Sequence, residues 1–321
     1  MTATFDWDAI DTRPLMEKIE RDRLGRPLII PPDGGKRVAY TRCTTFAGVI
    51  EDQYNLTRWK QRMTAIGVAA RPDLILAINA HRDDKKALDG YVQDAMAEAK
   101  SDAAASIGTS LHKLTEYIDK GQPLPPVPAE YVGDLVAYRE QIARLEILGI
   151  ERFTVLDDLK IGGTHDRTVG FEGGRYIFDL KTGDVEWGDL KIAIQLAIYS
   201  RSQLYDINTG ARAPLDVDQD RAIVMHMPAG QGVATLHWVD IAAGWDAVQT
   251  VLDVKRQRAR KRIFQAWPAA TPDLPTIIAA VPDPATLRAL WARHAAAWTP
   301  ELTALASARI AQLTAGDAAN V

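Results

Sequence analysis

Two aspartates and a lysine carry the strongest chemical signal in this chain. They lie in residues 161–183, IGGTHDRTVGFEGGRYIFDLKTG, which read as two strands around a glycine-rich turn. If residues 171–174 form a four-residue loop, Gly170 pairs with Arg175. Asp166 then lies opposite Asp179, with β-carbons roughly 5 Å apart. Like charges so placed destabilise a sheet unless something positive sits between them, and a divalent cation meets that need. Side chains alternate along a strand, so Ile177, Asp179 and Lys181 share one face. Tyr176, Phe178 and Leu180 form an apolar face on the other side. Two hard carboxylates and an ammonium around one point suit hydrolysis of a phosphodiester. The carboxylates hold Mg²⁺, and the lysine orients the water or stabilises the transition state. The alternative is a surface hairpin whose charges are simply solvated.

Two helical stripes add to this. In ASIGTSLHKLTEYI, Gly108, His112 and Glu116 fall at i, i+4 and i+8, with Leu111, Leu114 and Ile118 on the apolar side. His112 is a candidate further metal ligand supported by Glu116, and Gly108 lets the helix approach another backbone closely. A satisfied surface or core imidazole is the commoner role for one histidine. In DLKIAIQLAIYS, Lys191, Gln195 and Tyr199 form a polar stripe on an otherwise apolar helix. That stripe is better placed facing a site than facing solvent.

Taken together, the pieces resemble the RecB-type branch of the PD-(D/E)XK nuclease superfamily. The matching pieces are G-T-S-L-H-x-x-x-E at 108–116, G-G-T-x-D-R at 162–167, D-L-K-T-G at 179–183 and Q-L-A-I-Y at 195–199. The resemblance spans about residues 44–239 and is most specific over 108–199. It implies Mg²⁺ or Mn²⁺, one or two ions, held by His112, Asp166, Asp179 and the Leu180 carbonyl. It implies Lys181 as the catalytic lysine, with Gln195 and Tyr199 contacting the DNA backbone or bracing the site. Glu151 would assist with metal or water. Position 165 is His where the superfamily name has Pro, a difference often found in this branch. Some relatives carry a cysteine-ligated iron–sulfur cluster, which the single cysteine, Cys43, cannot supply.

The expected activity is a metal-dependent deoxyribonuclease. It resembles the exonucleases of bacteriophages and prophages that resect DNA ends beside a single-strand annealing or recombination protein. An endonuclease on the same core and a non-catalytic DNA-binding or assembly protein are the alternatives. Arg167 and the basic residues Lys255, Arg256, Arg258 and Arg260 of KRQRARKR are expected at the DNA, although a charge run is usually a solvated helix face. Residues 58–62, RWKQR, form a second basic spot, with Trp59 read as a core anchor rather than a base-stacking platform.

The elements that must position these groups follow from pattern. Residues 26–42 read as two short strands around Pro-Pro-Asp-Gly-Gly, and Thr44-Thr45 as the N-cap of an amphipathic helix. A helical zone runs over 72–120, a proline-rich breaker over 123–128, and a helix over 131–148. Strands are expected over 151–160 and 163–182, a helix over 190–204, strands over 222–227 and 234–239, and a basic helix over 245–265. Residues 267–284 read as a linker. Two helices then start at Asp283-Pro284 and Thr299-Pro300, forming either a stabilising appendage or a docking module. The order is not a regular βαβ alternation. It predicts an α/β (mixed α+β) fold, a small central mixed sheet flanked by helices, with a restriction-endonuclease-like core. The division is 1–100 packing on the core, 101–265 as the core, and 266–321 as linker and helical hairpin.

The chain has 321 residues, 47% hydrophobic and 25% charged, with formal net charge −4. This is globular composition, and any field that attracts a polyanion must be local. The N-terminal stretch MTATFDWDAIDTRP has neither a basic nor an apolar leader region, and no apolar run approaches a membrane span, so a cytoplasmic protein without a membrane is expected.

Overall fold

The computed structural model describes residues 19–101, 103–183, 185, 188–265 and 272–318. The N-terminal stretch read above, and residues 267–271 of the expected linker, lie outside them. The chain divides into two compact units, Met1–Ala259 and Arg260–Val321.

The first unit opens with β1 (Leu28–Ile29) and β2 (Val38–Ala39), an antiparallel pair around the Pro-Pro-Asp-Gly-Gly segment. β3 (Thr41–Arg42) runs directly into α1 (Cys43–Ala47). The single helix expected after Thr44-Thr45 is broken. Residues Gly48–Ile50 form a 3₁₀ turn, and Asp52 accepts the Tyr54 N–H at 2.8 Å, an Asx-type turn that starts α2 (Tyr54–Ala70) afresh. The expected helical zone resolves into α3 (Pro72–Ala80), α4 (Lys85–Glu98) and α5 (Ala103–Asp119). Pro72 sits at a helix start, and Asp84 caps α4 by accepting two backbone N–H groups. After the proline breaker, α6 (Ala129–Ile142) stops short of the expected end, and β4 (Glu146–Leu156) begins within the span read as helix.

Next come β5 (Ile161–Phe171), β6 (Gly174–Lys181), α7 (Asp189–Ser200), β7 (Gln203–Tyr205), β8 (Arg212–Ala213), β9 (Arg221–His226) and β10 (Thr235–Asp240). The unit closes with α8 (Ile241–Arg258), which ends before the expected Gln265. The main sheet runs β10-β9-β6-β5-β4-β7-β8, with β3 also pairing β5. β6 with β9 and β3 with β5 are parallel; the other pairs are antiparallel.

Helices cover this mixed sheet on both faces, so the unit is a mixed α/β fold. On one face Ile161, Ile177 and Val224 pack with α1, α7 and α8. On the other, Val169, Tyr176, Phe178, Leu180 and Met225 pack with Leu111 of α5 and Tyr138 of α6. Full burial of each large apolar side chain contributes about 1.5–3 kcal/mol. The alternation read from the sequence of β6 is therefore what seats the strand between two cores and leaves Asp179 on the α7 side.

The second unit holds α9 (Leu274–Ala280), α10 (Pro284–Arg293) and α11 (Pro300–Ala318), closed over Leu274, Ile278, Leu287 and Leu302. Asp283 caps α10 ahead of Pro284. α9 is a helix where a linker was expected. Asp273 accepts the Thr276 N–H, and Pro275 sits in the first turn, where its missing N–H breaks no helical bond. No single helix among the described residues is long and apolar enough to cross a membrane.

Candidate active site

β5 and β6 part where the charged residues begin. Their ladder runs from Phe171 opposite Gly174 to Arg167 opposite Phe178. The turn is two residues rather than four, yet the register is the expected one, with Gly170 opposite Arg175. The next position in that register sets Asp166 against Asp179, and there the backbone pairing stops. The Leu180 N–H donates instead to Asp166 Oδ2 at 2.8 Å. β6 stays paired with β9 through Lys181, so it leaves β5 without losing its own support. β4 occupies one edge of β5, and β3 takes up the other at Ile161 and Gly162. Residues 163–166 of that edge therefore face an opening between β3 and β6. In an extended strand the N–H and C=O of one residue point the same way, so the Leu180 carbonyl faces this opening too.

Asp179 is 3% exposed. Its Oδ1 accepts from Gln195 Nε2 at 3.4 Å. Its Oδ2 forms an ion pair with Lys181 Nζ at 2.5 Å. Burial, and then the neighbouring Asp166, push the Asp179 carboxyl up to about 7. For Lys181, burial works against the ammonium, but Asp179 and Asp166 outweigh it and hold its pKa above the ordinary lysine value. One ammonium thus serves two carboxylates.

α5 and α7 close the opening from either side. His112 Nδ1 comes within 3.4 Å of Asp166 Oδ2. Burial lowers the His112 pKa against the pull of Asp166, which leaves the imidazole neutral at pH 7 and free to act as a ligand. A β-carbon on Gly108 would stand 2.8 Å from Thr182 Oγ1, so the missing side chain brings α5 onto the end of β6. Glu116 does not support His112 as expected: its Oε2 takes Lys113 at 2.9 Å and Lys120 at 2.7 Å. From α7, Gln195 reaches Asp179 while Tyr199 stays 3% exposed. A β-carbon on Gly163 would meet Tyr199 Oη at 2.8 Å and Cys43 Cβ at 3.1 Å. Tyr199 therefore braces β5 from beneath, and no DNA contact is open to it.

Glu151 lies on β4 between the pairs Ile150–Arg167 and Arg152–His165, which puts it in line with Asp166 and Asp179 across three strands. Its φ of 50° is unusual for a non-glycine residue. Burial, and then Asp166, raise its carboxyl to about 7.

Arg167, expected at DNA, is wholly buried, and that expectation is corrected. Its Nε donates to Asp119 at 2.8 Å and its Nη2 to Thr115 at 2.9 Å, and Tyr138 donates to Asp119 at 2.8 Å. Its third nitrogen, Nη1, has no hydrogen-bond acceptor among the described residues and lies 3.9 Å from Glu151 Oε1. Sequence reading missed Asp119, Thr115 and Tyr138. The signal for the first two was present, because 112, 115 and 119 recur at helical spacing. Nothing local marked Tyr138. His165, in the position that differs from the superfamily name, is 1% exposed and bonds Thr168 at 2.9 Å. Burial brings its pKa down to about 4.

Of the basic run, Lys255, Arg256 and Arg258 lie in the last turn of α8. Gly244 of α8 closes on the Ala193 carbonyl, two residues and so about 200° around α7 from Gln195. Lys255 Nζ lies 4.8 Å from the Phe46 ring centroid, Arg256 pairs with Asp253, and Arg260 belongs to the second unit. Two clefts, of about 590 and 580 Å³, are lined by Arg201 and its neighbours and by the β5–β6 turn. Neither includes Asp166, Asp179 or Lys181. The candidate site is thus the gap between strands, apart from these two clefts.

Among the described residues no three His, Cys, Asp or Glu side chains are gathered as a ready-made metal cluster. The donor set is nevertheless that of a hard divalent ion: two carboxylates, a carbonyl and a neutral imidazole around one opening. Two carboxylates against one ammonium leave an excess of negative charge that fits such an ion, which would compete with Lys181 for Asp179 Oδ2. Compared with protein-family models and with curated proteins, the chain matches none.

Proposed function

We propose that this chain is a metal-dependent DNA exonuclease with a PD-(D/E)XK core of the RecB type, acting at DNA ends in recombination or repair. The observation that carries the reading is the meeting of Asp166, Asp179 and Lys181 where β6 leaves β5, with His112 and Gln195 closing in from α5 and α7. A structural ion pair between Asp179 and Lys181 does not need the second carboxylate of Asp166.

Asp166, Asp179, the Leu180 carbonyl and His112 would hold Mg²⁺ or Mn²⁺. Bound there, the ion would supply a water of lowered pKa and offset charge on the phosphate. The chain's own groups do the rest. Lys181 keeps its ammonium charged beside Asp179 and directs it at the developing charge or at the attacking water. Gln195 fixes the Asp179 carboxylate in orientation. Glu151, with its carboxyl near 7, is suited to accept a proton at neutral pH. A partner protein that anneals or recombines the exposed strand fits this role.

The test is digestion of end-labelled linear duplex and single-stranded DNA with Mg²⁺, Mn²⁺ or EDTA, beside a covalently closed circle. Metal-dependent release from ends alone is the expected result. Nicking of the circle would make the enzyme an endonuclease. Binding without cleavage under either metal would make it a non-catalytic DNA-binding protein.

A further inference from the structure

α2 holds Arg58, Lys60 and Arg62 and no acidic residue between Tyr54 and Ala70, in a chain whose net charge is −4. Tyr54, Arg58 and Arg62 recur at every fourth position, an arc of about 80° on a helix that turns 100° per residue. All three are exposed, Tyr54 at 66%. None of the three cations is paired with a carboxylate among the described residues. The opposite side of the helix is the packed one. Gly67 is buried against the Ala95 carbonyl of α4, with Trp59 and Met63 half-buried on the same side. Trp59 is therefore the anchor, as its type suggested, and the aromatic residue left for contact is Tyr54.

The start of α2 is tied to the candidate site. Glu51, three residues before Tyr54, accepts Lys191 Nζ at 2.8 Å. Lys191 precedes Gln195 by one turn, about 6 Å along α7, and Gln195 holds Asp179. The basic arc thus begins three residues from a side chain held by the same helix, α7, that holds Asp179.

We propose that Tyr54, Arg58 and Arg62 form a docking track for the sugar–phosphate backbone of the DNA strand entering the site, with Tyr54 stacking on a base. The proposal rests on the nuclease reading above and gives its substrate a path. Two guanidiniums at one-turn spacing, with no carboxylate partner among the described residues and only the Gln61 amide oxygen at 3.5 Å from Arg58, suit successive phosphates, and an adjacent exposed ring suits an unstacked base. A membrane-surface helix needs a continuous free apolar face opposite its cations, and here the centre of that side, Gly67, lies against the Ala95 carbonyl of α4 with the exposed Lys60 beside it.

The experiment measures binding of a fluorescent single strand and an overhanging duplex in EDTA, over a range of salt, for the full chain and its variants. Replacing both arginines, Arg58→Ala with Arg62→Ala, should weaken binding. It should reduce the slope of log affinity against log salt by about 1.4 for the single strand and about 1.8 for duplex. Arg58→Lys with Arg62→Lys should restore the slope. Tyr54→Ala should lose roughly tenfold on the single strand, while Tyr54→Phe keeps the wild-type affinity. Cleavage at saturating DNA should stay near wild type in every variant.

An unchanged slope in the double alanine variant, with wild-type cleavage intact, would overturn the track alone. A wild-type chain that neither binds nor cleaves DNA would overturn the nuclease reading and the track with it. Loss of binding to anionic phospholipid vesicles, with DNA binding unchanged, would assign the face to a membrane and so also reject the track.

Discussion

Two charged clusters lie one residue apart on β5, and they are built on different terms. Arg167 and Asp119 are both wholly buried, and Thr115 and Tyr138 complete their hydrogen bonds. Cation and anion are matched one to one. At the neighbouring position, Asp166 and Asp179 share Lys181, and the edge of β5 is open. The first cluster has nothing left to bind except through Arg167 Nη1, which points toward Glu151. The second is incomplete by a positive charge. Buried ion pairs that close on themselves hold elements together, whereas an unbalanced pair beside an opening stores a capacity for a ligand.

The sharpest way to break this contrast is to strike each cluster in turn. Asp179→Ala or Lys181→Ala should lower end-release from DNA by at least about a hundredfold, while binding measured in EDTA stays near wild type. Wild-type turnover in either variant would remove the site from these residues. Arg167→Met should instead act on folding. It leaves Asp119 buried and unpaired, at a cost of about 3–5 kcal/mol in chemical denaturation. Adding Asp119→Asn to Arg167→Met should recover most of that loss, because the stranded charge is gone. If the single variant unfolds like wild type, the cluster is not the brace described here.

The smallest expected effect concerns pH. Asp179 and Glu151 both have carboxyls raised to about 7, so the folded chain keeps protons that the unfolded chain releases. Their contribution to stability is full below the ordinary carboxylate range and is lost as pH rises toward about 7. Without divalent metal, stability should fall across that window, and Asp179→Asn should flatten the fall. Glu151→Gln should do so less, since that side chain is a third exposed and partly screened. Added Mg²⁺ should reverse the trend by favouring the ionised carboxylates. Equal slopes with and without Asp179 would contradict the burial assigned to it.

Much of this was legible without coordinates. The two-residue alternation of β6 named its apolar and polar faces, and the pairing of Gly170 with Arg175 followed from the glycines of the turn. The spacing of Gly108 and His112 placed one face of α5 at the end of β6. These are local periodicities, which the backbone imposes residue by residue. The extent of the helices was less legible. The break at residues 48–53 and the helix at Leu274–Ala280 depend on capping contacts that compete with propensity.

Tertiary structure alone decided what each charge is for. Arg167 and Lys181 are both basic residues two positions or fewer from an aspartate, and nothing in their neighbours distinguishes them. Arg167 is a brace because α5 brings Asp119 and Thr115 over it and α6 adds Tyr138. Lys181 remains at an opening because β6 follows β9 away from β5. Sequence determined which groups are present and which way a strand or helix turns them. Whether a charge finds a partner, and whether that partner satisfies it, depends on elements distant in the chain, because electrostatic and desolvation energies are set by three-dimensional neighbours.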